Sequence, residues 1–345
     1  MVRRRQKSRK KSGSGAAFLL MLMVVLLLAA SAAAWLVLVP YGPQSETFVE
    51  LAPGSSTAQI AAQLEDAGVI RSHYGFMLLR WIKRGKLKAG EYRFERDATL
   101  VDVYARIARG DVYTKTVTIP EGASIFEIAA RLEQAGLGDR QSFLDAAVSQ
   151  KGLVADLDPK AKSLEGFLFP DTYLFPHKAT PVQIYTTMVR RFRAKAEQLG
   201  LSGDIHKVVT MASLVERETA VDAERPLVAS VFENRLAKKM PLMTDPAVIY
   251  GLEVAGKWRG AIYKSDLKLD TPYNTYLHAG LPPGPVANPG VKSLRAAMEP
   301  AHTNYLYFVA AGANAQGESH FAATLDEHNR NVADYRHAVK KAGTR

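Results

Sequence analysis

Val49-Glu-Leu-Ala-Pro-Gly-Ser-Ser-Thr-Ala-Gln-Ile-Ala-Ala-Gln-Leu-Glu-Asp-Ala-Gly-Val-Ile70 returns 68 residues later as Val117-Thr-Ile-Pro-Glu-Gly-Ala-Ser-Ile-Phe-Glu-Ile-Ala-Ala-Arg-Leu-Glu-Gln-Ala-Gly-Leu-Gly138, with ten identities in 22 positions. The shared residues are those that build local structure. Gly54 and Gly122 sit at a turn after a short strand, and Ser56 and Ser124 stand where helix N-caps belong. Ile60, Ala61 and Leu64 match Ile128, Ala129 and Leu132 at helical spacing, and Gly68 and Gly136 fit the helix C-termini. Each copy therefore reads as strand, turn and helix, and the chain is an α+β protein in which this unit occurs twice.

Outward from the first copy, the pattern predicts a second helix over Ser72–Arg84, a strand over Gly90–Phe94 and a helix over Thr99–Ala108. This strand–helix–helix–strand arrangement over residues 47–114 resembles, in pattern, the LysM-like module that binds peptidoglycan glycan. Residues 115–345 read as a larger α+β region whose start, 115–138, repeats 47–70. Helices are expected at Pro181–Gln198, Asp204–Ala220 and Arg225–Leu236. A strand at Tyr305–Ala310 and a helix at Thr324–Val339 close the region. After Met240 the chain is rich in Pro, Gly, Asn and Tyr, which is loop chemistry. The stretch Thr271–Gly290 reads as one long loop, and loops of that length in a compact domain are usually functional.

Toward the N-terminus, residues 16–39 form a run of 24 apolar or small residues without a charge. About 20 such residues span a bilayer core of roughly 30 Å. The tail before it, residues 1–15, carries Arg3, Arg4, Arg5, Lys7, Arg9, Lys10 and Lys11 and no acid, which places it in the cytoplasm. The rest, after a linker over 40–46, then lies outside the cytoplasmic membrane. Ala30-Ser-Ala32 and Ala32-Ala-Ala34 also fit signal-peptide cleavage sites. The apolar run continues past them through Trp35-Leu-Val-Leu-Val39, however, with Trp35 placed as an interfacial anchor, so an uncleaved single-pass helix is expected.

Seven of the eleven excess positive charges sit in that tail, which leaves four for the remainder. Anionic lipid accounts for the tail better than nucleic acid does. With no cysteine there are no disulfides and no thiolate metal sites, and 47% hydrophobic residues supply ample core. Gly251-Leu-Glu-Val-Ala-Gly-Lys257 nearly spells a phosphate-binding loop, but Trp258 stands where Ser or Thr must reach Mg²⁺. None of the eight histidines forms a zinc motif, and no G-x-S-x-G elbow occurs. Neither metal nor cofactor is expected.

The stretch richest in chemistry is Thr210-Met-Ala-Ser-Leu-Val-Glu-Arg-Glu-Thr-Ala220. At about 100° per residue, Ile205, Val208, Val209, Ala212 and Val215 share an apolar face with Glu216 in its middle. Glu218 falls nearly opposite, beside Met211 and Leu214, and only the sector of Thr210, Ser213 and Arg217 is polar. Desolvation among apolar side chains raises a carboxyl pKa, and a carboxylic acid held protonated near neutrality suits cleavage of a glycosidic bond. Pairing with Arg217, Arg225 or Arg235 is the structural alternative, and the wheel does not choose between the two glutamates. A second constellation gathers Asp245, Tyr273, Asn274, Tyr276, Gly280-Leu-Pro-Pro-Gly284 and Asn288. Aromatic faces with amide and carboxylate groups line sugar-binding clefts, and prolines limit loop entropy.

Taken in order, these pieces resemble the endolytic murein transglycosylase family (MltG, or YceG-like). The resemblance is carried by Glu121-Gly to Leu132, Leu164-Glu-Gly-Phe-Leu-Phe-Pro-Asp-Thr-Tyr173, Ala212–Ala220 and Ala229-Ser-Val-Phe-Glu-Asn-Arg-Leu236. Thr244-Asp-Pro-Ala-Val-Ile-Tyr-Gly251, Tyr273-Asn-Thr-Tyr276, Gly280–Gly284 and Tyr305-Leu-Tyr-Phe-Val309 complete it. It implies a lytic transglycosylase that cleaves the MurNAc–GlcNAc β-1,4 bond within nascent glycan and leaves a 1,6-anhydroMurNAc end. Glu218 is then the catalytic residue, with Glu216 and Ser213 supporting. Asp245, Asn274, Tyr276 and Asn288 are expected to contact sugar or orient Glu218. Expected partners are peptidoglycan strands, the inner membrane and peptidoglycan synthases. The competing reading is a non-catalytic, membrane-anchored peptidoglycan-binding scaffold.

Overall fold

The computed structural model describes residues 13–312 and 318–342, so most of the expected basic tail lies outside the described residues. The chain divides into two compact units that meet between Thr114 and Lys115.

The first unit begins with α1 (Gly13–Leu38), whose stretch Ala17–Leu38 is long and apolar enough to cross a bilayer and is nowhere buried. β1 (Thr47–Leu51) pairs antiparallel with β2 (Gly90–Phe94), from Thr47 opposite Phe94 to Leu51 opposite Gly90. Between them run α2 (Thr57–Asp66) and α3 (His73–Lys83), and α4 (Leu100–Arg109) follows. Alternation along the strands turns Val49, Leu51, Tyr92 and Phe94 onto the helices, where they meet Leu64, Phe76 and Ile107 in one core.

The second unit opens within β3 (Thr114–Thr118), which pairs with β4 (Thr172–Pro176). It carries α5 (Ile125–Gln134), α6 (Arg140–Ser149), α7 (Pro181–Leu199), α8 (Ile205–Glu218), α9 (Arg225–Ala237), α10 (Asp245–Val254) and α11 (Val291–Met298). β5 (Tyr307–Ala310) and β6 (Ser319–Ala322) form an antiparallel pair, and α12 (Leu325–Ala342) ends the chain.

The two copies of the repeat are built alike. Ser56 and Ser124 each accept a hydrogen bond from the backbone N–H three residues on, and Gln59 and Glu127 return the bond to the cap. These are capping boxes, which satisfy two orphan donors at each helix start. Gly68 and Gly136 close the helices at φ 69° and 67°, a conformation that side chains with a Cβ rarely adopt.

α8 runs through the middle of the second unit. Its Val209 and Ala212 enter a core with Phe143, Phe167, Tyr185 and Phe192, whereas Met211, Leu214 and Val215 enter another with Val228, Phe232 and Tyr250. Burying a single Leu or Met side chain stabilises by about 1.5–3 kcal/mol, so a helix walled on both sides is fixed in place.

The region after Met240 departs from its loop-like composition. Pro246 lies in the first turn of α10, where the missing N–H costs nothing, and Gly290 is the N-cap of α11. Those prolines and glycines mark helix starts. β6 also escapes the sequence pattern. Between the 3₁₀ turn Asp266–Lys268 and α11 the chain is irregular, as the long-loop reading expects.

This irregular segment is held by buried side chains. The Asn288 side chain accepts from Leu168 N–H (2.8 Å) and donates to Ala123 C=O (2.9 Å) and to the Glu165 carboxyl (2.7 Å). Glu165 also accepts from Ile125 N–H at 2.8 Å, and burial raises its pKa to about 8. One amide thus ties the loop to the start of α5 and to the Leu164–Phe169 segment. Asn288→Ala leaves three buried groups without their partner and is expected to destabilise the chain by about 3 kcal/mol. Thermal unfolding followed by circular dichroism would show this as a loss of roughly 10 °C; an unchanged midpoint would refute the bracing role.

Candidate functional site

α8 ends at Glu218 and not at Ala220, because Thr219 turns into extended backbone at φ −138° and ψ 135°. The Thr219 hydroxyl stabilises the turn. It donates to Glu224 at 3.2 Å and accepts from Val221 N–H at 3.0 Å. Glu224 in turn accepts from Ser319 N–H of β6 at 2.6 Å. The chain after Glu218 is therefore fastened to the C-terminal sheet.

The two glutamates of the Glu216-Arg-Glu218 triplet meet opposite fates. Glu216 is buried and bound on both oxygens, to Arg225 Nη1 at 2.7 Å and Gly290 N–H at 2.8 Å. Arg225 also donates to Ser293 Oγ at 2.5 Å and faces Asp222 at 3.3 Å. Glu216 is thus the paired acid of the structural alternative, joining α8 to α9 and α11.

Glu218 has no such pairing among the described residues, yet the protein shields most of its carboxyl. Burial pushes its pKa up to about 7, the negative charge of Asp245 pushes the same way, and Arg235 pulls down. Near neutral pH the Glu218 carboxyl therefore stands between its protonated and ionised forms, and the residue as a whole is not fully buried. An acid with these properties can give a proton and take one back.

Asp245, the first residue of α10, is exposed and accepts from the Tyr276 hydroxyl at 2.7 Å. Burial, then this bond and the nearby acids, raise the pKa of Tyr276, which keeps its hydroxyl protonated. The structure therefore brings Asp245 and Tyr276 into the electrostatic surroundings of Glu218.

It does not offer Asn274 or Asn288 to a ligand. The Asn274 amide donates to Leu267 C=O (3.0 Å) and Leu269 C=O (2.8 Å) and accepts from Tyr276 N–H (3.0 Å), so it shapes the turn that presents Tyr276. Asn288 is the brace described above. For both, the expectation of sugar contact gives way to a loop-building role, since each side chain is fully enclosed and bonded to protein. Ser213 is supporting in the same sense: its hydroxyl donates to Thr210 C=O at 2.7 Å and accepts from Val286 N–H at 3.0 Å, which docks the proline-rich loop on α8.

Arg235 is the neighbour that the sequence offered only as an ion-pair candidate. Its Nε donates to Leu306 C=O (2.7 Å) and its Nη1 to Leu242 C=O (2.8 Å), and its guanidinium lies 5.4 Å from the centre of the Tyr307 ring. A second Arg on a helix whose Val228, Ala229, Val231 and Phe232 are buried was the available signal. Among the described residues, no group of His, Asp and Glu has the arrangement of a metal site.

The mixed α+β unit thus holds at the end of α8 a carboxyl raised to about 7, beside Asp245 and Tyr276, which is a group able to work as both acid and base. The chain belongs to the YceG-like family, whose model matches residues 49–334. It is 34% identical over 332 residues to the endolytic murein transglycosylase of Bacillus subtilis, covering 87% of this chain and 88% of that one. It is 28% identical to the endolytic murein transglycosylase of Streptococcus pneumoniae, covering 86% of this chain and 60% of that longer protein. A crystal structure of a yceG-like protein from Listeria monocytogenes superposes with a TM-score of 0.54 at 32% identity, covering 84% of this chain and 99% of that one.

Asp245→Asn removes a charge that favours the protonated acid, so the Glu218 pKa is expected to fall below about 7 toward the ordinary carboxyl range. Carbon-detected NMR titration of Glu218 reads this directly, and a midpoint that stays put or rises would refute the coupling.

Proposed function

We propose that this chain is a membrane-anchored endolytic lytic transglycosylase of peptidoglycan with Glu218 as its acid–base group. The observation that carries the reading is the Glu218 carboxyl at the end of α8, without a paired cation among the described residues and raised to about 7 by burial and Asp245. The names of the Bacillus and Streptococcus relatives supply the substrate class.

Hydrolytic glycosidases generally use two carboxyl groups, because one must activate water or attack the sugar. A lytic transglycosylase uses the C6 hydroxyl of the MurNAc unit as its own nucleophile, and intramolecular attack gains effective molarity. Protonated Glu218 gives its proton to the glycosidic oxygen as the C1–O bond breaks and the GlcNAc end departs as an alcohol. The C6 oxygen then bonds to C1, and its proton passes to the Glu218 carboxylate. No water is consumed, the glutamic acid is regenerated, and a 1,6-anhydroMurNAc end remains.

In this reading burial, with Asp245 beside it, favours the proton on Glu218, and Tyr276 orients Asp245. Both line the approach to the sugar, while Ser213, Asn274 and Asn288 shape the loop around it. α1 holds the chain in the inner membrane with its N-terminus in the cytoplasm, so that cleavage falls on nascent strands near their synthases and ends their elongation. The β1–α2–α3–β2 module, with its antiparallel strand pair, serves as a LysM-like glycan contact.

The test uses the purified full chain in detergent, wild type and Glu218→Gln, on uncrosslinked glycan strands with mass spectrometry of the products. Anhydro-ended fragments from wild type, reduced about 100-fold or more in Glu218→Gln, are expected. Reducing ends would make the enzyme a hydrolase with a second carboxylate. Binding without cleavage by either protein would leave only the scaffold reading.

A further inference from the structure

The first unit carries a surface that neither its fold nor the reaction uses. α3 sends Phe76 and Leu79 into the core, while Tyr74, Met77, Leu78, Trp81 and Ile82 form a second apolar stripe pointing outward. Tyr74, Trp81 and Ile82 are 71%, 69% and 60% exposed. Their spacing, i, i+3, i+4, i+7 and i+8, gathers them on one side of the helix. A contiguous exposed stripe of large apolar residues marks an interaction surface, unlike single ones scattered about.

Along α3 and its flanks the charges are basic, and the acid that reaches this helix, Glu65 of α2, pairs with His73 at its start. From Arg71 to Lys88 the chain carries Arg71, Arg80, Lys83, Arg84, Lys86 and Lys88 and no Asp or Glu. Apolar and aromatic residues on one helical face with basic residues beside them suit a helix lying in the interface of an anionic bilayer.

The position of α3 agrees. The Arg71 guanidinium, two residues before α3 begins, lies 4.2 Å above the Trp35 ring near the end of α1 and 5.0 Å above the Tyr41 ring, and donates to Pro40 C=O at 3.1 Å. Val37 of α1 packs against the core of the same unit. The entrance of α3 is therefore fixed at the end of the apolar span. The helix is 11 residues long, about 16 Å, so its far end lies within about 16 Å of that level.

We propose that α3 is a second membrane contact: its outward stripe lies in the interface of the leaflet from which α1 emerges, with the basic residues on anionic phospholipid headgroups. This rests on the reading of α1 as a membrane span. It makes the first unit a foot held flat on the bilayer and not a bead on a tether.

The absence of cysteine allows single-site labelling of the full chain. Leu28→Cys in α1, Ile82→Cys in the stripe and Glu50→Cys on the exposed side of β1 would each carry an environment-sensitive fluorophore. The proteins are reconstituted in phosphatidylcholine–phosphatidylglycerol vesicles with or without nitroxide-bearing lipid. Strong quenching is expected at Leu28→Cys, and several-fold stronger quenching at Ile82→Cys than at Glu50→Cys. The Ile82→Cys signal should fall by half or more when phosphatidylglycerol is omitted or Trp81→Glu is added. Quenching at Leu28→Cys with Ile82→Cys no different from Glu50→Cys would overturn the docking and leave the anchor standing, as for a stripe that serves a protein partner. No quenching at Leu28→Cys would overturn the anchor and the docking with it. Quenching at Ile82→Cys unaffected by Trp81→Glu would also refute the stripe as the contact.

Discussion

The site depends on the buried bond between Glu216 and Arg225. One carboxylate joins α8 to α9 through the guanidinium and to the start of α11 through the Gly290 amide. Leaving either charge buried without its partner costs about 3–5 kcal/mol, so the pair locks the end of α8 once it has formed. Glu218, two residues further along, is placed by this lock and takes no part in it. The close fit extends to Gly290, where an added Cβ would fall 1.9 Å from a Glu121 carboxyl oxygen. Burial and the neighbouring Glu216 also raise the pKa of Glu121, so acidic groups crowd this corner while Arg225 and Lys292 offset them.

Two acids on one helix, about 200° apart at helical spacing, have thus been given separate tasks. One has its charge matched by a cation and an amide and contributes position. The other is left without a matched cation, which is what the proposed acid–base role requires. The wheel showed that both were surrounded by apolar residues, but a partner 9 positions away in sequence for Glu216 and 74 away for its amide donor is a tertiary fact. No spacing within the helix could reveal it, and only the family resemblance pointed to Glu218.

What the sequence made legible was mostly local. Capping boxes, C-terminal glycines and helical periodicity depend on residues three or four apart, and both copies of the repeat fold as those signals indicate. The misreadings came where one residue type serves two purposes. Proline and glycine after Met240 suggested loop, yet Pro246 and Gly290 begin helices. Asparagines beside tyrosines suggested a sugar cleft, yet Asn274 spends its amide within its own turn, on Leu267, Leu269 and Tyr276, and Asn288 on the distant Ala123, Leu168 and Glu165. Glu165 lay in view within a quoted motif, but its burial beside Tyr250 and Asn288 arises only when residues about 85 and 123 positions away fold onto it.

The end of α8 at Glu218 has an electrostatic consequence of its own. Peptide dipoles in a helix add up to roughly half a negative charge at the C-terminus, where the last carbonyls lack intrahelical donors. A carboxyl placed there sits in a negative potential that comes from the backbone itself. No side-chain substitution can remove that potential while the helix persists. It disfavours the ionised acid and favours any positive charge that gathers opposite it. A sugar ring acquiring oxocarbenium character as its bond breaks is such a charge, so with Glu218 as the proposed acid–base group the termination of the helix at this residue would prepare the field before any substrate arrives.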